Sequence, residues 1–571
     1  MGVPHFFAWL IQHNYLKKQL LCSNIDKQAK CLYLDSNCLF HPQCFKVLDF
    51  LPNEINIDNL ESQMIKRIIK YINFIITEVN PTDFVFISVD GVAPIAKIGQ
   101  QRKRRYKSVD DDLQKNILKQ KYNIPHNENW SNIVITPGTD FMNKLDLSIQ
   151  NYCNSIKHIN VIYSSYHVPG EGEHKILQHL KSLNITNDPI IIYGLDADLI
   201  FLSMASKQNN ISLLRESSQI DSNKHDDSDL NIIDINDVYE KLVYVPIDLL
   251  KSIYNNRIKS LIKNKNNSIN IDNINFINDF IVLCFFLGND FLPHFPSINI
   301  KCDGIETILD AYTTIYISNN QTIINNINNV ITFNNKQLGR VLKLLGDNEK
   351  YYFNNILPKF LIDNNKKKCH LLDNYSKELW NLEHLKNIDI IDNIKLGYGD
   401  TTNWKFRYYE HYFGSIEHQH DLINSVCMNY LEGFVWVSKY YFEHCKSWRW
   451  QYKYLHAPFI SDLADYIIKF DIDLNAILFN INSPIKISNQ LLALIPPIHS
   501  HLLPPSLSYF LISNDSPIIY MFPVKVTLDM LYKNQLWQCI PLVPYLDIDA
   551  IEDCTNNLIF DKLTVNKFLL L

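Results

Sequence analysis

Two short acidic motifs each place two carboxylates one residue apart. Glu171 and Glu173 lie in VPGEGEHKIL, where a glycine turn precedes an apolar helical pattern, and Asp196 and Asp198 lie in PIIIYGLDADLIFL. An acidic side chain near a helix N-terminus gains about 0.3 to 1 kcal/mol from the helix dipole, which explains one such pair. The dipole does not explain a second pair with the same spacing, so the four acids are candidates for one shared site.

Three further acids lie in motifs of their own: Asp35 in LYLDSN, Asp90 in FISVDG and Asp290 in FFLGNDFLPH. Taken singly, Asp35 or Asp90 could cap the next helix, and Asp290 could be a hydrogen-bonded carboxyl inside an apolar helix. Taken together they need another explanation, because two carboxylates about 5 Å apart repel by about 3 kcal/mol at an effective dielectric of 20. Several acids in one crevice must take up protons or bind cations.

The ligand chemistry favours a hard divalent cation. Carboxylate oxygens suit Mg²⁺ or Mn²⁺, and the sequence offers no histidine or cysteine set with zinc spacing. Two such ions about 4 Å apart can activate water and stabilise the leaving oxygen in a displacement at phosphorus. The sequence therefore predicts phosphodiester hydrolysis by a two-ion site, with these catalytic and metal-binding acids: Asp35, Asp90, Glu171, Glu173, Asp196, Asp198 and Asp290.

A basic segment, GVAPIAKIGQQRKRRYKS, follows Asp90 directly. On a helix, four of its residues share one face, and Arg102 and Lys103 point elsewhere. An arginine fork beside an amide donor favours a phosphate dianion, whereas a solvated basic surface or a localisation signal would not require this spacing. A phosphate pocket beside metal-binding acids predicts an exonuclease that holds one end of a nucleic acid. The face consists of Lys97, Gln101, Arg104 and Arg105.

Three aromatic side chains are candidates for base stacking. His41 follows Asp35 closely, and Trp448 and Trp450 lie in SWRWQY. Stacking of a base on such a ring is worth about 1 to 3 kcal/mol. An aromatic core is the alternative for at least one of the tryptophans.

The acids follow apolar runs that are typical of buried strands. These runs begin at Cys31, Asp83, Asn160, Pro189 and Ile211. Runs that are apolar on both faces and alternate with helical patterns predict a parallel sheet covered by helices. Asp35, Asp90 and Asp196 then lie at the carboxyl ends of strands, where open α/β sheets place their sites.

Composition narrows the classes of protein that fit. With 571 residues and 46% hydrophobic content, the chain can bury a large core in two or more domains. The net charge of -6 argues against a uniformly basic nucleic-acid surface, and twelve cysteines without a C-x-x-C pair favour reduced thiols in an intracellular protein. No phosphate loop, targeting signal or apolar run of about 20 residues is evident, which disfavours an ATPase and a membrane span.

The polarity of the chain suggests where its domains divide. Polar stretches such as SNKHDDSDLN and KNKNNSINIDNIN read as loops, and DNNKKKC interrupts the core pattern. We expect a nuclease domain at 1–350, a linker at 351–395 and a second region at 396–571.

Taken in order, the motifs resemble those of the Xrn family of 5′-to-3′ exoribonucleases. They are MGVPHFF, LYLDSN, VDGVAPIAKIGQQRKRR, ITPGTDFM, PGEGEHKI, YGLDADLI, LLRE, CFFLGNDFLPH, YLEGFVWV and SWRWQY. The resemblance implies an α/β, PIN/flap-nuclease-like parallel-sheet nuclease domain with helices on both faces, plus a second, mainly helical conserved domain that closes the active-site entrance. It also implies that the seven acids bind metal, that the basic face binds a 5′-monophosphate, and that His41 stacks with one of the paired tryptophans. Gly99, Lys453 and Leu455 depart from the family pattern.

The function implied by the resemblance is degradation of single-stranded RNA. We expect a cytoplasmic, Mg²⁺- or Mn²⁺-dependent enzyme of the mRNA-decay type, in the form of a minimal catalytic core, that releases nucleoside 5′-monophosphates. No membrane partner is expected, and decapping factors are compatible partners that no motif specifies. The alternatives are a structure-specific flap-type DNA nuclease and an inactive RNA-binding scaffold.

Overall fold

The computed structural model describes residues 3, 6–12, 21–22, 28–52, 54–125, 130–185, 187–219, 235, 237–386, 388–416 and 419–571. The chain forms two compact units. The sheet unit comprises Leu10–Leu250, Ser483–Lys525 and Val543–Leu571. The helical unit comprises Met1–Trp9, Lys251–Asn482 and Val526–Leu542.

A six-stranded sheet forms where the apolar runs are buried on both faces. Its strands are β1 (Cys31–Asp35), β2 (Phe84–Ser88), β3 (Asn160–Ser164), β4 (Ile190–Tyr193), β5 (Ile211–Glu216) and β6 (Leu242–Pro246). Their order is β3-β2-β1-β4-β5-β6, and the first five are parallel to their neighbours. The predicted parallel sheet is confirmed. β6 pairs antiparallel with β5 and was not predicted, because its sequence lies in a mostly polar region.

Both units contain helices. In chain order they are α1 (Phe6–Gln12), α2 (Asn37–Phe50), α3 (Ile57–Val79), α4 (Ile95–Lys121), α5 (Asp140–Ser155), α6 (Gly172–Ser182), α7 (Asp198–Ala205), α8 (Ile247–Lys265), α9 (Ile277–Cys284), α10 (Gly304–Asn319), α11 (Asn335–Asp347), α12 (Glu349–Tyr351), α13 (Leu357–Asn365), α14 (Asn374–Glu383), α15 (Thr401–Phe413), α16 (His420–Phe442), α17 (Ile460–Lys469), α18 (Ile487–Leu494), α19 (Pro505–Ile512), α20 (Ile548–Thr555) and α21 (Lys562–Lys567). None of these helices combines the length and the apolar character that crossing a membrane requires.

Helix α3 illustrates how the sequence specifies an element of the sheet unit. The Asn56 side chain caps its first turn by accepting the Asn59 amide, and Asn80 ends it in the left-handed conformation with φ 45°. Apolar residues recur every three or four positions from Leu60 to Ile76, and this face is buried. The helix therefore packs into the core that also covers the sheet.

The late segments of the chain belong to the same core. Leu491 and Leu492 of α18, together with Met521 and Phe522, are buried in one apolar cluster with Ile87 of β2. The sheet unit is therefore completed by residues that lie more than 240 positions after its last strand.

The helical unit contains a hairpin that the sequence analysis left without a structure. Its strands are β7 (Ile324–Ile327) and β8 (Val330–Phe333), and the chain later forms the short strands β9 (Leu528–Asp529) and β10 (Ile540–Pro541). Asn328 and Asn329 form the hairpin turn with φ values of 51° and 63°, which asparagine tolerates better than most residues. The buried carboxylate of Asp279 accepts the first amide of β7 at 2.9 Å. The Asn-rich composition therefore encodes a turn.

The predicted loops and linker have mixed outcomes. SNKHDDSDLN lies outside the described residues, and in KNKNNSINIDNIN the helix α8 ends at Lys265 before a series of turns. The 351–395 range, predicted as a linker, contains α13 and α14. The domain boundaries at 350 and 395 stay a prediction.

Candidate active site

Six of the seven predicted acids lie in the sheet unit, beside the carboxyl ends of its parallel strands. Asp35 is the last residue of β1, and Asp90 follows β2 by two residues. Glu171 is the N-cap residue of α6 and Glu173 lies in its first turn. The remaining two follow β4, where Asp198 begins α7. The strand order reverses between β1 and β4, so this edge of the sheet also contains the topological switch point.

Gly172 brings three of these motifs together. Its amide donates a hydrogen bond to Asp90 Oδ1 at 2.7 Å, and its carbonyl accepts one from Ser88 Oγ at 2.8 Å. A Cβ atom at position 172 would lie 2.7 Å from Asp35 Oδ1 and 3.3 Å from Asp90 Oδ1. Only glycine lets the α6 turn approach both aspartates this closely.

Backbone and side-chain bonds hold that turn in place. Gly170 donates its amide to the Val92 carbonyl at 2.7 Å, while the Gly91 amide donates to the Gly170 carbonyl at 2.9 Å. The buried Lys175 ammonium donates to the carbonyls of Val89 at 2.7 Å and Ser165 at 2.9 Å. The ends of β2 and β3 are thereby tied to α6.

The electrostatics of the cluster are those of several acids that share one buried site. Burial raises the pKa of Asp35 well above its usual range, and the charges of Asp90 and Asp196 raise it further. Burial also raises the pKa of Glu173 well above its usual range, although the Lys97 ammonium opposes this shift. Both shifts disfavour the ionised carboxylates, and a bound cation would stabilise those ionised forms.

The donor set fits a divalent cation. Ligand atoms of Glu171, Glu173 and His174 all lie within 4.8 Å of one another, and all three residues are buried. Glu173 Oε2 is buried and accepts no hydrogen bond from the part of the chain that the structure describes. An unsatisfied carboxylate oxygen in this position is costly, and a metal ion would remove the cost.

His174 is a residue of this cluster that the sequence analysis missed. Its Nδ1 lies 3.7 Å from Glu171 Oε1. Burial, helped by the positive charge of Lys97, lowers the pKa of His174 well below its usual range, so the imidazole is neutral. The available signal was its position directly after Glu173 in the first turn of α6.

Lys97 lies among the acids. Its ammonium forms an ion pair with Glu171 Oε2 and lies 3.9 Å from Glu173 Oε1. The side chain is buried, and it supplies a positive charge to the cluster. Its predicted contact with a phosphate would therefore have to be made next to these carboxylates.

The rest of the predicted phosphate face lies on α4, as expected. Gln101 and Arg105 are half-buried, and Arg104 is exposed. Arg105 Nη1 donates to Thr136 Oγ1. Burial lowers the pKa of His41 to about 4, and the charges of Arg105 and Arg104 lower it in the same direction, so His41 lies beside the two arginines as a neutral ring.

Arg102 points away from this face, as the sequence predicts. Its Nη1 donates to the Pro544 carbonyl at 2.7 Å, and its Nη2 donates to the Met521 carbonyl. The guanidinium is buried and packs over the ring of Phe522. Arg102 therefore anchors α4 to the late segments of the sheet unit.

Asp290 lies in the helical unit, and its predicted helical setting is wrong. Helix α9 ends at Cys284, and a 3₁₀ turn follows at Phe285–Leu287. Gly288 then takes a φ of 87°, and the Asn289 side chain accepts the backbone amides of the following turn at 2.9 Å. These two residues stop the helix, so Asp290 lies on a turn that an apolar pattern alone does not reveal.

The two candidate tryptophans have different surroundings in the helical unit. Trp450 stacks on Trp436 with ring centroids 5.3 Å apart and packs so closely on Gly433 that a Cβ there would lie 2.8 Å from its ring. Trp448 has no such aromatic contact among the described residues, and Asn482 Oδ1 accepts its backbone amide at 2.7 Å. Trp450 is a packing residue, which leaves Trp448 as the better stacking candidate.

The fold and the position of the acids define the class of protein. A parallel sheet in the order 3-2-1-4-5, joined to a helical unit, is a PIN-like α/β nuclease fold with a helical domain. Residues 1–217 match the family model described as "XRN 5'-3' exonuclease N-terminus". Residues 268–378 and 354–566 match the model described as "Xrn1 helical domain". The chain belongs to the XRN 5′-3′ exonuclease family, as the sequence motifs predicted.

Individual relatives agree with this assignment. The chain is 27% identical to the human protein "5'-3' exoribonuclease 1" over 98% of this chain and 34% of that protein. It is 27% identical to "5'-3' exoribonuclease 2" of Arabidopsis thaliana over 96% of this chain and 66% of the relative. It is 25% identical to "5'-3' exoribonuclease 1" of Saccharomyces cerevisiae over 100% of this chain and 44% of that protein. The chain therefore spans between about a third and two thirds of the length of these relatives.

Proposed function

We propose that this chain is a divalent-metal-dependent 5′-to-3′ exoribonuclease that degrades 5′-monophosphorylated single-stranded RNA to nucleoside 5′-monophosphates. The observation that carries the proposal is the convergence of Asp35, Asp90 and the Glu171–Glu173 turn on Gly172, beside the carboxyl ends of one parallel sheet. The names of the relatives supply the polarity and the RNA substrate.

The acids of the sheet unit would hold the metal. Mg²⁺ or Mn²⁺, bound there, supplies an activated water and charge stabilisation for the leaving oxygen. Asp35 and Glu173, whose pKa values burial raises, would hold the cation together with the neighbouring acids, and the Lys97 ammonium forms an ion pair with Glu171 beside them. Asp290, on its turn in the helical unit, is proposed as the seventh acid.

The basic face of α4 would select the RNA end. Arg104 and Arg105 present two guanidiniums near His41, with Gln101 on the same helix, and a terminal phosphate dianion matches two arginine forks better than a 5′-hydroxyl does. His41 is neutral and aromatic, so it suits stacking on the first base. From the helical unit we propose Trp448 as its counterpart.

A direct test compares matched single-stranded RNAs that carry a 5′-monophosphate, a 5′-hydroxyl or a 5′-triphosphate. Each is incubated with the purified chain in Mg²⁺ or in chelator, and the products are identified by mass spectrometry. We expect nucleoside 5′-monophosphates to form fastest from the 5′-monophosphorylated RNA, much more slowly from the 5′-hydroxyl RNA, and from neither without metal; the 5′-triphosphate RNA should resist digestion. A DNA flap is included as a substrate, because its preferential cleavage would favour the flap-nuclease alternative.

The matched control is Asp196→Asn, which keeps the size of the side chain and removes one carboxylate. It should abolish cleavage without unfolding the chain. Digestion by this variant at the wild-type rate, or digestion in chelator, would overturn the metal assignment. Binding of RNA without any digestion in Mg²⁺ would favour the scaffold alternative.

A further inference from the structure

The guanidinium of Arg105 is held by one buried hydroxyl. Its Nη1 donates to Thr136 Oγ1 and lies 3.5 Å from the Ile133 carbonyl. Thr136 is fully buried and follows the 3₁₀ turn Asn132–Val134. A bond between side chains 31 residues apart thus joins α4 to the ITPGTDFM segment.

The hydroxyl of Thr136 has a fixed direction. It donates its only proton to the Ile133 carbonyl at 2.5 Å, so a lone pair is left to accept from Arg105. The neighbouring Thr139 makes local bonds of its own, because its hydroxyl donates to the Val134 carbonyl and caps α5 by accepting the Met142 amide. The platform under Arg105 is therefore built from short, local hydrogen bonds.

The opposite edge of the guanidinium is available to a ligand. Nε and Nη2 of Arg105 donate to no residue in the described parts of the chain. These two groups form the side-on fork that binds two oxygens of a phosphate at once. With Nη1 pinned to Thr136, the plane of the fork is set before any ligand arrives.

We propose that Thr136 is a positioning residue for 5′-phosphate recognition, which acts by fixing the plane of the Arg105 guanidinium through Nη1. This inference rests on the proposed function and assigns a role to ITPGTDFM. Arg105 supplies the charge, and Thr136 supplies the orientation that makes the contact bidentate. Threonine suits this position because its buried hydroxyl donates its proton to the Ile133 carbonyl, and this bond orients the oxygen that accepts from Arg105.

The test compares Thr136→Val, which removes the hydroxyl at nearly constant volume, with Thr136→Ser, which keeps it. For Thr136→Val we expect KM for 5′-monophosphorylated RNA to rise about tenfold, the effect of losing one hydrogen bond to a charged group, with kcat nearly unchanged. KM for 5′-hydroxyl RNA should not change. Thr136→Ser should behave as wild type, and Thr136→Ala gives the same readout if the valine variant is unstable.

Thr139→Val is the matched structural control, because it removes the neighbouring hydroxyl without touching Arg105. It should keep the preference for the 5′-phosphate. In a double-mutant cycle, Arg105→Met with Thr136→Val should be no worse than Arg105→Met alone, since the threonine acts through the arginine.

The possible failures can be told apart. If wild type does not distinguish the two RNA ends, the proposed 5′-phosphate recognition fails, and this inference fails with it. If Arg105→Met loses the distinction while Thr136→Val keeps it, only the role of Thr136 is overturned. Equal losses on both RNAs in Thr136→Val and Thr139→Val would show a purely structural role and would also overturn it.

Discussion

The amide nitrogen of Gly172 lies 2.7 Å from Asp90 Oδ1, so one hydrogen bond joins acidic motifs that are 82 residues apart. The same glycine leaves no room for a Cβ beside Asp35. The spacing of the carboxylates therefore depends on the absence of one side chain.

Gly172→Ala should displace the α6 turn from both aspartates. A Cβ atom 2.7 Å from Asp35 Oδ1 forces a shift, and a displacement of about 1 Å near reacting groups can cost about 100-fold in rate. We expect a loss of that order in kcat for RNA digestion. Gly339→Ala on α11 is the control, because its Cβ would meet only the side chains of Ile467 and Ile468, at 3.4 Å. If the two variants are equally active, the close approach at Gly172 has no role in catalysis.

Removal of metal should make the stability of the chain depend on pH. The folded-state pKa values of Asp35 and Glu173 are raised above their unfolded values, so the folded chain binds more protons between the two values. Their contribution to stability is complete below the unfolded values, near pH 4, and is lost as pH rises through the folded values. In chelator we therefore expect Tm to fall as pH rises above the unfolded values.

Added Mg²⁺ should reverse that fall, because a ligand that binds only the folded chain stabilises it by about 2.7 kcal/mol at one hundred times its Kd. Scanning fluorimetry with and without chelator measures both effects. The Asp35→Asn, Glu173→Gln double variant should show a flatter pH profile and a smaller response to Mg²⁺. A Tm in chelator that does not change with pH would contradict the assigned shifts.

Much of the sheet could be predicted because its strands are buried on both faces, which leaves continuous apolar runs in the sequence. β6 was not predicted, because it is an antiparallel edge strand within a polar region of the sequence. The β7–β8 hairpin was not predicted, because its Asn-rich sequence resembles a loop and the positive φ values of Asn328 and Asn329 that form its turn appear only in the structure.

The site could be predicted only in part, for a different physical reason. Acidic motifs and the basic helical phase are local, so the sequence shows them directly. The pairing of Lys97 with Glu171 and of Arg105 with Thr136 depends on which elements pack together, and no local pattern records it. Asp290 was placed on a helix because apolar runs predict helices better than they predict where a positive-φ glycine ends them.

The two tryptophans should separate stability from RNA affinity. Trp450→Ala removes a ring packed on Trp436 and Gly433, so we expect unfolding to become easier by about 3 to 5 kcal/mol. Trp448→Ala should leave stability almost unchanged and raise KM for RNA about tenfold, the effect of one lost base stack. Urea unfolding and steady-state kinetics check the pair. The stacking assignment is reversed if the kinetic effect follows Trp450 in a folded variant.

For RNA binding, we expect the aromatic ring of His41 to matter more than a charge on its imidazole. Burial and the neighbouring arginines lower its pKa to about 4, so the folded-state pKa lies below the unfolded one. The stability that this provides is present above about pH 6.5 and is lost as pH falls toward about 4, outside the usual assay range. His41→Phe should retain most RNA affinity between about pH 6 and 8, whereas His41→Ala should lose it. Equal loss in both variants would indicate that a polar contact of the imidazole is needed.

Arg102 and Arg104 lie on different sides of α4, so we expect replacement of Arg102 to lower the stability of the chain and replacement of Arg104 to leave it almost unchanged. Arg102 is buried and donates to the carbonyls of Met521 and Pro544, so Arg102→Met leaves both acceptors unsatisfied and should destabilise the chain by about 2 to 4 kcal/mol. Arg104 is exposed, and Arg104→Met should change stability by less than about 0.5 kcal/mol.

For the selection of the RNA 5′ end, we expect Arg104 to matter more than Arg102. Arg104→Met should reduce the preference for 5′-monophosphorylated over 5′-hydroxyl RNA, whereas Arg102→Met, assayed below its Tm, should keep it. Both changes remove one positive charge from the same helix, so each controls for a general electrostatic effect on RNA binding. If both variants lost the preference to the same degree, the basic segment would act as a diffuse charged surface, and the assignment of one face of α4 to the RNA end would fail.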